Sequence, residues 1–232
     1  MNPRVIVGGR EAQAPFSIVI LSRNARNLVP CVRALLANEP GLPRDRIVVV
    51  DDGAREDAEK ELPGIRWVAG VKPFIFARNA NLGIEAAGGD VVLLNDDALL
   101  MTPQGFTAMA QAARRNPDFG VISAVTNVAG NPAQRPRDIG LREDRDLAFV
   151  CVLIPEATWR RVGSLDERYC VDYGVEDKDY CHRVALAGLR IGIFDHCYVD
   201  HSSLISTYRS APRASRSFEG NYRLFREKWG ML

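Results

Sequence analysis

Hydrophobic and polar positions alternate between two periods in the first half of the chain. Short runs at 16–21 (FSIVIL), 47–50 (IVVV), 65–69 (IRWVA) and 91–94 (VVLL) are bounded by turn residues, which predicts strands. Between them the apolar residues recur three and four apart. Leu28, Cys31, Val32, Leu35 and Leu36 share one face of a predicted helix over 27–38. An acidic helical stretch runs to Leu62, and a further helix is expected near 77–87, after a loop containing Pro73. Strands that are apolar throughout are buried on both faces, so helices must cover both sides of the sheet. The order predicts an α/β fold with a doubly wound, mostly parallel sheet, whose ligands bind beyond the carboxyl ends of the strands.

The second half is less regular. A helix is predicted at 104–115 and a strand at 120–124, followed by 126–146, rich in Pro, Gly and Arg and without a period. That segment reads as a long surface loop, a length that is uncommon without a function. A strand at 147–154, a short helix at 156–162 and a connecting loop at 163–175 come next. Residues 176–187 form a helix stopped by Gly188, and strands are expected at 190–194 and 197–200. In 217–229 the aromatic residues Phe218, Tyr222, Phe225 and Trp229 lie four, three and four apart, which predicts a packed amphipathic helix.

With 232 residues and 47% hydrophobic content, the chain can bury one full core. A net charge of +1 gives no global attraction to nucleic acid or anionic membrane. Locally the end is basic: Arg209, Arg213, Arg216, Arg223, Arg226 and Lys228 stand against Glu219 and Glu227. The reading is therefore an N-terminal extension (1–15), one main domain (16–209) and a basic helical tail (210–232). Five cysteines without C-x-x-C spacing indicate neither a disulfide framework nor a zinc ribbon, which fits a reducing cytosol. Cys170, Cys181, His182, His196, Cys197 and His201 match no zinc-ligand spacing either. The apolar stretch 5–7 is cut short by Gly8, Gly9 and Arg10, so no signal peptide is expected. No window reaches the roughly 18 apolar residues of a membrane helix, so any membrane contact is expected to be peripheral.

The candidate chemistry is acidic. Asp51-Asp52-Gly53 and Asn95-Asp96-Asp97 both follow predicted strands, and Glu176-Asp177 opens a predicted helix. Carboxylates are hard oxygen ligands for Mg²⁺ or Mn²⁺, and a cation held beside a diphosphate neutralises the charge that develops as a nucleotide leaves. One cluster would hold such a donor and the other would activate an acceptor. Two bland readings compete: an Asp-Gly turn for the first motif, and carboxylates favouring the positive end of a helix dipole for the last. Asp179 and Arg183, four apart on the same helix, read as a structural pair.

The chain resembles a family 2 glycosyltransferase of the GT-A, Rossmann-like fold. The resemblance rests on 16–24, 48–53 (VVVDDG), 74–83 (FIFARNANLG), 89–97 (GDVVLLNDD), 162–168 (VGSLDER), 174–183 (GVEDKDYCHR) and 200–203 (DHSS), and covers roughly 16–209. It implies a GT-A sheet with a smaller acceptor-side sheet and a C-terminal helix. Asn95 stands where the family usually writes the first aspartate of Asp-x-Asp, as in the rhamnosyltransferase-like, O-antigen-type group that the chain looks most like.

The resemblance also implies roles. Ser22, Asn24, Asp51, Asp52, Arg78, Asn81, Asn95 and Asp96 fall among donor-binding positions, with Asp51 or Asp52 accepting from the nucleotide base. Arg78 and Asn81 would brace the diphosphate and the loop ahead of the metal motif, since a guanidinium donates two parallel bonds to phosphate. Asp97 and His201 would hold Mn²⁺ or Mg²⁺. Asp177 is the expected general base of an inverting transfer, and Glu176 a hydrogen-bonding partner of acceptor or sugar. The donor would be a UDP- or dTDP-hexose or deoxyhexose. The acceptor hydroxyl could belong to a glycan, lipid carrier, protein or modified nucleic acid. Loop 126–146 and the basic tail would be acceptor-side or lid elements. Two other classes stay open: a catalytically silent sugar-nucleotide binder, suggested by Asn95, and an acceptor-recognition module whose tail docks on nucleic acid or anionic lipid.

Overall fold

A computed structural model of the protein describes residues 16–169, 174–205 and 214–231. The expected extension 1–15, Cys170, Arg209, Arg213 and the side chain of Arg216 lie outside the described residues. The elements run β1 (Phe16–Ser22), α1 (Ala25–Asn38), β2 (Ile47–Asp51), α2 (Arg55–Ala58), β3 (Arg66–Ala69), α3 (Phe76–Ala87), β4 (Asp90–Asn95) and β5 (Leu99–Leu100). There follow α4 (Gly105–Arg115), β6 (Phe119–Thr126), β7 (Leu141–Asp144), β8 (Cys151–Ile154), α5 (Glu156–Val162), α6 (Glu176–Leu186), β9 (Arg190–Asp200) and α7 (Ala214–Lys228).

Among the described residues one sheet contains all nine strands, in the order β3-β2-β1-β4-β8-β6-β9-β5, with β7 also on β9. The stretch β3-β2-β1-β4 is parallel, as is β6 with β9, and β8 enters antiparallel between them. Alternation along β1 sets the two cores. Ile18 and Ile20 pack with Leu28, Val32 and Leu35 of α1 and Phe106 and Met109 of α4. Val19 and Leu21 pack on the other face with Ala77, Ala80 and Ile84 of α3 and Tyr180, Cys181 and Val184 of α6. Each strand residue serves one face by period, which is why these runs read as apolar throughout. At Gly83 the α3 backbone lies so close to β1 that a Cβ would sit 2.4 Å from Val19 Cγ1, so only glycine fits.

Four expectations change. The acidic stretch after β2 is helical only over α2, and turns follow it. The strands expected at 190–194 and 197–200 are one strand, β9. Its register against β6 shifts between Ala124 and Val125, so 195–197 bulge out without ending the ladder. The smaller acceptor-side sheet is continuous with the main one: β7 pairs with Ile191 to Phe194, and β5 pairs with Val199 and Asp200. Finally, 126–146 is built, not structureless, with a 3-10 turn at Pro132–Gln134 and β7 inside it.

The bulge explains why that loop is ordered. The buried Asp195 carboxylate accepts from the Arg142 Nε at 3.0 Å and Nη2 at 3.2 Å, and from the main-chain N–H groups of Arg137 and Ile139. Arg142 also donates to the carbonyls of Ala133 and Arg135. Burial alone would raise the Asp195 pKa; Arg142 and the two amides outweigh it and hold the group below its usual range. Gln134, fully buried, donates to Ser123 Oγ and Ala148 O and accepts from Ala148 N, acting as an extra strand partner.

Removing one member of a buried ion pair leaves the other without compensation. Asp195→Ala is therefore expected to lower the unfolding free energy by about 3–5 kcal/mol, read as a fall in the urea midpoint at unchanged slope. A loss within about 0.5 kcal/mol, the scale of an ordinary surface substitution, would show that Asp195 is not the anchor.

Candidate functional site

The sheet order reverses between β1 and β4, and a cavity of about 270 Å³ opens beyond their carboxyl ends. Its walls include Leu21, Asn95, Asp96 and Asp97 on one side of the chain's sequence and Asp146, Gly174, Glu176 and Asp177 on the other. Two acidic motifs eighty residues apart are thus brought to one cleft.

Asp96 and Asp97 occupy the turn from β4 to β5. Cys31 of α1 holds that turn from beneath, its thiol 3.4 Å from Ala98 O. Ser22 Oγ, at the end of β1, donates to Asp96 Oδ2 at 2.6 Å, bridging the two strands where the order reverses. Burial pushes Asp96 up to about 7, opposed by the Ser22 hydrogen bond and reinforced by the Asp97 charge.

His201 reaches Asp97 because β5 pairs antiparallel with the end of β9, Leu99 opposite Asp200. Its Nδ1 lies 2.7 Å from Val128 O, a group that only accepts, so Nδ1 carries the proton. The other nitrogen, Nε2, lies 3.0 Å from Asp97 Oδ1. A neutral imidazole in this tautomer turns a lone pair toward a carboxylate, an arrangement that a shared proton or a cation satisfies. The turn itself is set by Asp200, which accepts from Ser202 N and Oγ, from Ser203 Oγ and from Asn127 Nδ2. Asn127 Oδ1 in turn accepts from His201 N. Among the described residues no three His, Cys, Asp or Glu side chains converge on a possible metal position, so Asp97 and His201 would need ligand oxygens to complete one. The zinc constellation does not form there: Cys181 and Cys197 are buried free thiols, and His182 packs edge-on to Trp229.

On the other wall, α6 begins from Val175, whose φ of 86° is left-handed and costly for a β-branched residue. Glu176 is buried and Asp177 partly so. Both pKa values are raised, by burial first. For Glu176 the Asp177 charge adds to it; for Asp177 the amides of Lys178 and Phe149 oppose it. Lys178 Nζ donates to Asp146 at 2.7 Å, and Asn131 Nδ2 holds the Asp146 carbonyl at 2.8 Å. Asp179 faces away and is buried, accepting from Arg183, Tyr169, Lys228 and Trp229. It is the structural pair expected with Arg183, and more.

The remaining donor candidates fall elsewhere. Asn24 caps α1 by accepting from Asn27 N. Asp51 Oδ1 accepts from the amides of Gly53, Ala54 and Arg55, so it serves the start of α2. Asp52 is buried and pairs with Arg23 at 2.9 Å and Lys72 at 3.3 Å. Arg78 and Asn81 do not line the cavity: Arg78 pairs with Glu167, and Asn81 holds Leu165 N and O. They lie half-buried on α3, one turn apart, against the 165–167 turn. Sequence reasoning expected loop 126–146 and the tail on the acceptor side but gave no individual role to Asn127, Asn131, Asp146, Phe218 or Tyr222, all of them at or beside the cleft. The aromatic pair carried a signal, its helical spacing, which by itself predicts packing.

The fold has parallels among solved structures. A structure titled GalNAc-T7 with UDP, GalNAc and Mn²⁺ superposes with a TM-score of 0.70 at 11% identity, over 92% of this chain and 48% of that one. The mannosyltransferase PcManGT from Pyrobaculum calidifontis, in complex with GDP-Man and Mn²⁺, gives 0.63 at 16% identity, over 90% and 63%. This chain thus spans about half the length of the first and under two thirds of the second, and the likeness is one of fold, GT-A. No curated protein sequence matches. The model for "Glycosyl transferase family 2" matches residues 17–175, and the chain belongs to that family.

Proposed function

We propose that this chain transfers a sugar from a nucleoside-diphosphate sugar to an acceptor hydroxyl with inversion, using Asp177 as general base. The observation that carries this reading is that Asp96-Asp97 and Glu176-Asp177 border one cavity. The two solved relatives hold UDP or GDP-mannose together with Mn²⁺, which supports a donor of that class.

Asp97 and His201 fit a divalent cation, and Mn²⁺ better than Mg²⁺, because the pair offers one hard oxygen and one imidazole nitrogen of fixed tautomer. A cation bound there supplies positive charge to the departing diphosphate. Asn95 in place of an aspartate lowers the charge of the site, which favours a cation held jointly with the donor over one held tightly alone. Of the two aspartates after β2, Asp51 is committed to α2, so a role toward the donor base falls to Asp52, which would have to exchange Arg23 or Lys72 for the base. A carboxylate suits the N3–H of uracil or thymine, so UDP- and dTDP-hexoses and deoxyhexoses are the first donors to test. Arg78 and Asn81 have no part in this reading.

In the transfer Asp177 takes the proton of the acceptor hydroxyl as its oxygen bonds to the anomeric carbon, and the bond to the diphosphate breaks with its electron pair leaving on the nucleotide. Glu176, whose pKa is raised by burial and by the Asp177 charge, would be the hydrogen-bonding partner of the acceptor or the sugar. Attack and departure occur on opposite faces in a single displacement.

The experiment is nucleoside-diphosphate release from UDP- and dTDP-sugars with Mn²⁺. Asp177→Asn should lower kcat by about 10²–10⁴-fold, the usual worth of a general base, and a variant turning over at the wild-type rate would refute the assignment. EDTA should abolish turnover, and His201→Ala should raise the Mn²⁺ needed for half-maximal rate about tenfold or more. Because the Asp177 pKa is raised and the base must be ionised, kcat/KM should fall with acidification at a higher pH than an ordinary aspartate, of pKa about 3.9, would give. A flat profile down to pH 5 would place the base elsewhere.

A further inference from the structure

The face of α7 that meets the cleft is aromatic and has no role in the reading above. Phe218 and Tyr222 line the same cavity as Asp177 and are 45% and 41% exposed. Their rings lie near-parallel, 6.1 Å apart at 8°, and Tyr222 continues at 6.2 Å and 17° to Phe225, which is buried. The three form a ladder running from an anchored ring to two open ones.

This ladder is held rigidly against the catalytic segment. Asn221 Nδ2 donates to Gly174 O at 3.0 Å, two residues before Glu176. Gly174 has φ +89°, and a Cβ there would meet the Phe218 ring at 3.0 Å, so the glycine lets the ring lie against the backbone. At the far end of α7, Lys228 donates to Asp179 and Asp166, and Trp229 Nε1 donates to Asp179. Two large rings left half open at the mouth of a cleft are costly unless something apolar covers them.

The surroundings restrict what that is. Asp146, Glu176 and Asp177 border the same mouth, and Lys178 among them is already paired with Asp146. A phosphate-bearing acceptor would meet carboxylates there, and the Lys228 charge of the tail is spent in ion pairs with Asp166 and Asp179. A ligand with one apolar face and neutral hydroxyls at its edge fits both features. A pyranose is such a ligand: its C–H face covers an aromatic ring while its hydroxyls reach carboxylates.

We propose that Phe218 and Tyr222 form an acceptor subsite and that the acceptor is an uncharged glycoside whose pyranose ring stacks on them, its reacting hydroxyl toward Asp177. This rests on the transferase reading, and the test separates the two. Methyl pyranosides of the common hexoses are the probes. Saturation transfer from the protein's aromatic protons to the sugar C–H protons should be seen with the wild-type protein and lost in the Phe218→Ala, Tyr222→Ala double variant. With the best donor and probe, each single alanine variant should raise the ratio of acceptor KM to donor KM about tenfold, and Phe218→Trp should restore it. Transfer of saturation without any donor turnover would uphold the subsite and sink the transferase reading. Turnover whose KM ratio stays within twofold in the alanine variants would overturn the subsite. So would a preference for a polyprenyl phosphate or an oligonucleotide over every methyl pyranoside.

Discussion

Carboxylates crowded into one cleft repel each other, and the site of this chain depends on how that repulsion is met. Asp96, Asp97, Asp146, Glu176 and Asp177 all border one cavity. Four of the five are answered by the chain: Asp96 by Ser22 from β1, Asp97 by His201 after β9, Asp146 by the Lys178 ammonium, and Asp177 by the amides of Lys178 and Phe149. Where no cation answers, burial raises the pKa, as at Glu176 and Asp96. A cleft of this kind is stable only while the sheet that supplies the partners is intact, and it is primed for a ligand that brings positive charge with it.

That dependence explains why the strand register matters more than any single motif. His201 stands against Asp97 through the pairing of two residues, Leu99 and Leu100, with the end of β9. The imidazole is oriented by a carbonyl from the segment after β6, and the turn carrying it by Asn127 from the same segment. Three chain segments remote in sequence thus fix one nitrogen, a division of labour in which the sheet does the positioning and the loops supply the chemistry.

How much of this was legible varies with the physics. The runs at 16–21, 47–50 and 91–94 announce buried strands because burial on both faces leaves no polar position, and the acidic motifs at their ends are visible for the same reason. The break between 194 and 197 looks like a chain turn because Asp195 and His196 interrupt the apolar pattern. A bulge does the same without ending the strand. Loop 126–146 lacks a period since its order comes from individual side-chain contacts such as Arg142 with Asp195, 53 residues apart, and the buried Gln134 with Ser123. Motif position likewise says where a side chain sits along the chain but not what it bonds: Asn24 and Asp51 are spent on helix starts, and Arg78 and Asn81 on the 165–167 turn. Asp177 and Asp97 are legible because their neighbours on the chain carry the same chemistry.

The left-handed backbone at Val175 has one more consequence. A β-branched residue does not rest there unaided, and its side chain is held by Tyr169 and by Phe225 of the last helix. The last helix therefore acts as a splint on the peptide that leads into Glu176 and Asp177. A chain trimmed ahead of it would keep the entire sheet and all five acidic groups, yet release the spring that holds one of them in line.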